Sequence, residues 1–473
     1  MTSTTLPVVI QGGMGVNVSS WRLAKEVALR GQLGVVSGTA LDGVLARTLQ
    51  DGDPGGHLRR ALAAFPDPAM AHRTLERYFR PDGRPAGVPY RPNPTLTLTP
   101  TRAAAELAVL GNFAHVWLAK EGHDGLVGIN FLEKVQMATP SAALGAMLAG
   151  VDYVLMGAGI PREIPSLLTE LAAGRRGELN VDVHDATRPH TTSVDPVELL
   201  GEHLPPLTRP RFLAIVSLHS LASYLCRDDD IRPDGFVIEG PTAGGHSAPP
   251  RGKLMLDDSG QPVYSARDQA DLSAIARLGL PFWLAGGTGT PERLTEALEL
   301  GAAGVQCGTI FALCEESGLE GDLRRRVVAE LAAGQLDVRN DPRASPTGFP
   351  FKVATLEGTM SEPDLYENRD RLCDLSYLRE PFERVDGSVG YRCAAEPVDA
   401  FVRKGGTLEA TVGRKCLCNA LMADVGLGQQ RRDGYVELAA VTLGQDLDGA
   451  LRLLERHPDG WSAADAVDWL VTG

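Results

Sequence analysis

A histidine placed directly behind two glycines is the arrangement in this chain best suited to chemistry. The run Glu239-Gly240-Pro241-Thr242-Ala243-Gly244-Gly245-His246-Ser247-Ala248-Pro249 follows the apolar stretch Phe236-Val237-Ile238. Glycines let a backbone approach a flat ligand to contact distance, and an imidazole held there can move a proton near neutral pH. Two further apolar runs end in glycine, Leu284-Ala285-Gly286-Gly287 and Val305-Gln306-Cys307-Gly308-Thr309. Each leads into a helical stretch, so free amides and helix dipoles at Gly286, Gly287, Gly308 and Thr309 suit a dianionic phosphate, although tight turns alone could account for both pairs. Near the start, Gln11-Gly12-Gly13-Met14-Gly15 leaves backbone amides open beside a flexible Met, and Asn130 ends another apolar run. Met14 serves equally well as a core filler, and Asn130 as a loop cap. His115, His123, His184 and His219 have no comparable context and are expected to be structural or exposed.

These candidates need a scaffold that gathers strand ends, and the pattern of the chain supplies one. Eight short apolar runs alternate with longer Ala- and Leu-rich stretches of helical period: 8–10, 34–36, 127–129, 153–155, 213–216, 236–238, 282–284 and 304–306. Most are continuously apolar, as in a parallel sheet covered on both faces. The expectation is an α/β fold, a (β/α)8 barrel over residues 1–320, in which function sits at the C-terminal ends of the strands and phosphate sites recur after strands 7 and 8. A glycine-lined platform across the mouth then fits FMN. The stretch 42–100, with its proline-rich second half, is read as a helical lid inserted after strand 2. Residues 321–473 carry no further strand series and are read as a mainly helical C-terminal extension.

Composition narrows the class. The formal charge is −14 and the longest basic run is Arg324-Arg325-Arg326, so no clustered positive face offers itself to nucleic acid. No apolar run reaches the ~18 residues that span a bilayer. Seven cysteines, an odd number, and no charged-then-apolar leader at Met1-Thr2-Ser3-Thr4-Thr5 are read as reduced thiols in a cytoplasmic protein. Cys373, Cys393, Cys416 and Cys418 fall in the extension, where Arg414 and Lys415 would favour thiolate. A single close pair with a one-residue gap does not match structural zinc spacing, so no metal is expected. A loop folding back to place one of these thiols at the active-site mouth is the livelier reading.

The pieces Val9-Ile10-Gln11-Gly12-Gly13-Met14-Gly15, Ala243-Gly244-Gly245-His246, Leu284-Ala285-Gly286-Gly287-Thr288 and Gly304-Val305-Gln306-Cys307-Gly308-Thr309 occur in order over roughly residues 6–316. In them the chain resembles the FMN-dependent nitronate monooxygenases, or nitropropane dioxygenases. More distantly it is similar to FMN enoyl-acyl-carrier-protein reductases and to the flavoproteins associated with polyunsaturated fatty acid and polyketide synthases. The resemblance implies that Gly286, Gly287, Gly308 and Thr309 hold the FMN phosphate, that Gly12, Gly13, Met14 and Asn130 border the ring beside Gly244 and Gly245, and that His246 is the active-site histidine. It implies oxidation of an alkyl nitronate or related small organic anion with O2 as co-substrate. The first alternative is a reductase of enoyl groups, delivered on an acyl-carrier protein, or of quinones, with NAD(P)H as transient reductant. The second is a non-catalytic barrel that docks in a biosynthetic assembly.

Overall fold

The computed structural model describes residues 6–473; the leader-free reading of Met1–Thr5 lies outside the described residues. Eight parallel strands form the central sheet: β1 (Val9–Gln11), β2 (Gly34–Ser37), β3 (Val127–Leu132), β4 (Tyr153–Gly157), β5 (Arg211–Val216), β6 (Gly235–Glu239), β7 (Phe282–Ala285) and β8 (Gly304–Cys307). Their order is β1-β8-β7-β6-β5-β4-β3-β2. The seam between β1 and β2 closes through a parallel bridge of Ile10 with Leu33, with Gln11 N donating to Leu33 O at 3.0 Å. Beyond that bridge the Gln11 side chain takes the place of backbone, its Oε1 accepting from Val35 N at 3.0 Å. The barrel is therefore complete, and each apolar run of the sequence is one of its staves.

Alternate residues of these strands separate two cores, as the period-2 geometry of a strand requires. Ile10, Val35, Tyr153, Leu155, Leu213, Val237, Trp283 and Ala285 fill the barrel interior. The intervening residues, among them Val9, Val36, Ile129, Val154, Phe212, Phe236 and Phe282, face the surrounding helices in the larger cluster. Trp283 is fully buried, and its indole N–H donates to Pro7 O at 2.8 Å. That plug closes the N-terminal end of the barrel, leaving the opposite end as the open one.

The helix Arg102–Lys120 is apolar on nearly every side because it is covered on nearly every side. The barrel lies on one flank and the inserted helices Leu41–Gln50, His57–Ala63 and Pro68–Tyr78 on the other. Glycine permits the closest approaches. A Cβ at Gly111 would stand 2.6 Å from the Leu41 carbonyl oxygen, and one at Gly145 would stand 2.2 Å from Val109 O. No residue of 42–100 lines the cavity at the barrel mouth. The segment expected as a lid thus packs against the barrel's side, because its apolar faces are used on Arg102–Lys120.

The cover comes from the extension instead. Its mainly helical reading gives way to six short helices, two antiparallel hairpins and long irregular connections. The first hairpin pairs β9 (Val338–Asp341) with β10 (Phe351–Ala354). Beyond it, residues 438–447 form neither helix nor strand before the helix Asp448–Arg456. No helix among the described residues is long and apolar enough to cross a membrane.

Candidate active site

A cavity of about 1640 Å³, open water at its mouth included, lies over the C-terminal ends of the strands. Gly12, Gly13 and Met14 reach it from β1, Asn130 from β3, and Gly244, Gly245 and His246 from the loop after β6. Gly286 and Gly287 follow from β7, and Gly308 and Thr309 from β8. The glycine-loop residues, Asn130 and His246 thus all border this one space.

At the β7–β8 side, the amides of Gly286, Gly287, Thr288, Gly289, Gly308 and Thr309 donate to no acceptor among the described residues. Unpaired backbone N–H groups are costly unless something meets them, and a concave group of them is an anion site. Gly286 and Gly287 adopt φ of +92° and +71°, which turns successive amides inward and which side chains with a Cβ rarely tolerate. The helix after β7, Pro291–Glu299, is long enough to add its dipole, capped by Thr290. The helix after β8, Thr309–Ala312, is a single turn, so it contributes amides and little dipole. The donor set fits the phosphate of FMN, with one carboxylate, Asp446, at its edge: a Cβ at Gly287 would lie 2.8 Å from Asp446 Oδ2.

The glycines near β1 leave room for a flat body. A Cβ at Gly13 would stand 2.2 Å from Asn130 Cβ, so this pair is in contact and any larger residue would displace Asn130. Ser19 Oγ accepts from Met14 N at 2.9 Å and donates to Gly12 O at 2.8 Å, which fixes the turn. The Asn130 side-chain amide donates to Phe131 O at 3.2 Å. Gln306 borders the same space with a buried Oε1 that has no hydrogen-bond partner among the described residues, an acceptor waiting for a ligand donor.

His246 Nε2 lies 2.7 Å from Ser345 Oγ, which is 2.8 Å from Thr347 Oγ1. The ring meets Phe351 edge-on at 4.9 Å. Nδ1 has no protein partner among the described residues and belongs to a ring that borders the cavity. Burial, and secondarily the Lys134 ammonium, lower the imidazole pKa to about 4, although the ring keeps some exposure. At neutral pH it is uncharged and able to accept a proton.

Two ionisable groups escaped the sequence reading. Glu239, the last residue of β6, borders the cavity and makes no hydrogen bond through its carboxylate among the described residues. Burial lifts its pKa to about 7, opposed by the Lys352 ammonium. Lys352 is fully buried on β10 and donates to Ser247 Oγ at 3.1 Å; burial lowers its pKa to about 8. A lone carboxylate closing an apolar strand is the sequence signal for Glu239. Nothing marks Lys352, because Phe351-Lys352-Val353 reads as ordinary alternation.

The raised Glu239 pKa has a sign that can be checked. Between the unfolded value near ~4.3 and about 7, the folded carboxyl keeps a proton that the unfolded one has lost, so stability falls as pH rises through that window. Glu239→Gln is expected to gain thermal stability relative to the parent between about pH 5 and pH 7. A stability difference independent of pH, measured by calorimetry, would contradict this environment.

The thiolate expectation for the tail cysteines is corrected. The Arg414 guanidinium donates to the carbonyl oxygens of Arg343 and Ser345, and Lys415 Nζ to Met360 O, so both cations are occupied elsewhere. Burial pushes the Cys418 thiol up to about 12 and the Cys416, Cys393 and Cys373 thiols up as well. Cys418 does border the main cavity, while Cys416, Cys393 and Cys373 surround a smaller pocket behind it. No group of three or more metal-ligating side chains is gathered among the described residues.

The family model described as nitronate monooxygenase matches residues 211–338, from β5 through the glycine loops after β7 and β8 to β9. A curated relative from Mycobacterium tuberculosis, named (3aS,4S,5R,7aS)-5-hydroxy-7a-methyl-1-oxo-octahydro-1H-indene-4-carboxyl-CoA dehydrogenase, is 33% identical over 125 residues. That match covers 26% of this chain and 30% of the relative. Among solved structures, FabK from Thermotoga maritima aligns over 99% of this chain and 94% of its own, at 15% identity and a TM-score of 0.47. Nitroalkane oxidase from Streptomyces ansochromogenes aligns over 99% and 96%, at 14% identity and a TM-score of 0.44. The enoyl reductase domain of MlnA from Bacillus amyloliquefaciens aligns over 98% and 93%, at 12% identity and a TM-score of 0.47. At these values the structural likenesses carry no functional argument. The match over 211–338, on a closed parallel barrel whose mouth gathers the glycine loops and His246, makes this a chain that resembles the nitronate monooxygenase family.

Proposed function

We propose that the chain is an FMN-dependent oxidoreductase, nitronate monooxygenase-like, that oxidises an alkyl nitronate or a related small organic anion with O2. The observation that carries the reading is the pairing, within one cavity, of six unsatisfied amides with an uncharged imidazole. FMN supplies the electron acceptor that the side chains lack. Its phosphate would be held by the amides of Gly286, Gly287, Gly308 and Thr309, and its ring bordered by Gly12, Gly13, Met14, Asn130, Gly244 and Gly245. His246 Nδ1 takes the α-proton of a neutral nitroalkane, while Ser345 fixes the ring through Nε2. The ammonium of Lys352, buried behind the loop, favours a substrate that carries or develops negative charge.

A second reading is favoured by the acyl-CoA thioester in the name of the curated relative. On it, His246 would stand near a thioester carbonyl, an acyl-carrier protein or coenzyme A would present the substrate, and NAD(P)H would act as transient reductant. Seven free cysteines support a reducing, cytoplasmic setting. Anaerobic mixing of the flavoprotein with a nitronate, and separately with NADH and NADPH, decides between the readings. Bleaching of the flavin band by nitronate alone is expected; bleaching by a nicotinamide alone would establish the reductase. Purified protein that is colourless and takes up no FMN would remove both and favour a docking role.

A further inference from the structure

We propose that the substrate carries an unbranched alkyl chain, and that this chain lies along an apolar wall which the C-terminal extension builds beside His246. The proposal rests on the oxidoreductase reading and names its substrate class. The wall begins at Phe351, whose ring meets His246 edge-on with an interplanar angle of 69°. Phe351 packs in one cluster with Ala344, Val353 and Leu417, and Leu378 and Leu421 lean against it. Phe351, Leu378, Leu417, Cys418 and Leu421 all border the main cavity. The wall is therefore continuous from the imidazole outward, and all of it comes from residues after 340.

Its chemistry is uniformly apolar. The one thiol, Cys418, is held protonated by burial. The Tyr377 hydroxyl, which also borders the cavity, donates to the buried Asp42 carboxylate at 2.7 Å. A polar group laid here would lose water and find no partner, whereas methylenes would gain from leaving water. Cys418 and Leu421 stand three residues apart on the helix Leu417–Ala423 and so share one face.

The wall also adjoins a second space. Behind the wall lies a second, much smaller pocket, and Leu378, Leu417 and Cys418 border both it and the main cavity. These three side chains are common to the linings of both.

The test uses the FMN-loaded full chain and two straight-chain series, from propionate to dodecanoate and the nitronates of matching length. Calorimetry with the unreactive carboxylates is expected to show affinity rising about two- to fourfold per methylene until the wall is covered. Anaerobic flavin bleaching by the nitronates should show the same trend in half-saturation. Leu421→Trp, which fills the wall, should flatten both trends; Cys418→Ser, which changes polarity with little change of volume, should weaken octanoate more than propionate. A flat carboxylate series in the parent protein would overturn the proposal, and so would an undiminished slope in both variants. A carboxylate slope with no bleaching by any nitronate would leave the wall standing and defeat the oxidase reading. Bleaching without a length trend would do the reverse.

Discussion

His246→Ala is expected to slow anaerobic flavin reduction by a neutral nitroalkane about 10²- to 10⁴-fold, the usual contribution of one positioned acid–base group. Reduction by the preformed nitronate should fall by less than about tenfold, because its α-proton has already left. The contrast follows from geometry. Nδ1 is the ring nitrogen without a partner among the described residues, Nε2 is engaged by Ser345, and the ring is neutral near pH 7. Bound flavin should be retained, since the amides proposed to hold its phosphate lie on the loops after β7 and β8. Equal losses with nitroalkane and nitronate would show that the imidazole binds or orients rather than moves a proton. Parent-like rates with both would end its catalytic assignment.

Gly287→Val should abolish the preference of the protein for FMN over riboflavin. In the parent, several otherwise unpaired amides converge after β7 and β8, and hydrogen bonds to a charged group contribute roughly 1.5–3 kcal/mol each. Two such bonds already predict a preference on the order of 10²- to 10⁴-fold for the phosphorylated flavin. A β-branched residue cannot hold φ +71° without strain, and its Cβ would press on Asp446 Oδ2, 2.8 Å away. The loop would relax and the amides disperse. Titration of the apoprotein with both flavins measures the ratio. An unchanged ratio in the variant, or no preference in the parent, would place the phosphate elsewhere.

The barrel was open to reading because most staves are short, unbroken apolar runs with both faces covered. The site was legible for a related reason: loops at strand ends have few grounds for consecutive glycines unless backbone must come close to something. Gly13 against Asn130 and the left-handed pair Gly286-Gly287 are such places. What escaped is long-range. Ser345 and Lys352 reach the site because β10 pairs with the His246 loop: Ser247 N donates to Pro350 O and Lys352 N to Gly245 O, both at 3.0 Å. No local pattern announces a pairing across about a hundred residues. The inserted helices misled for the opposite reason, since their amphipathic faces say that they cover something without saying what.

The same pairing has company. Gly245 N donates to Thr442 Oγ1, Gly444 N to Thr309 Oγ1, and Gln445 N to Thr242 O, while a Cβ on Gly449 would collide with Gly289 O. One late-synthesised segment is thus stitched to three neighbouring loops of the rim, like a drawstring threaded through a bag. Rim order is therefore set from far along the chain: freeing residues 442–449 would slacken the loops after β6, β7 and β8 together.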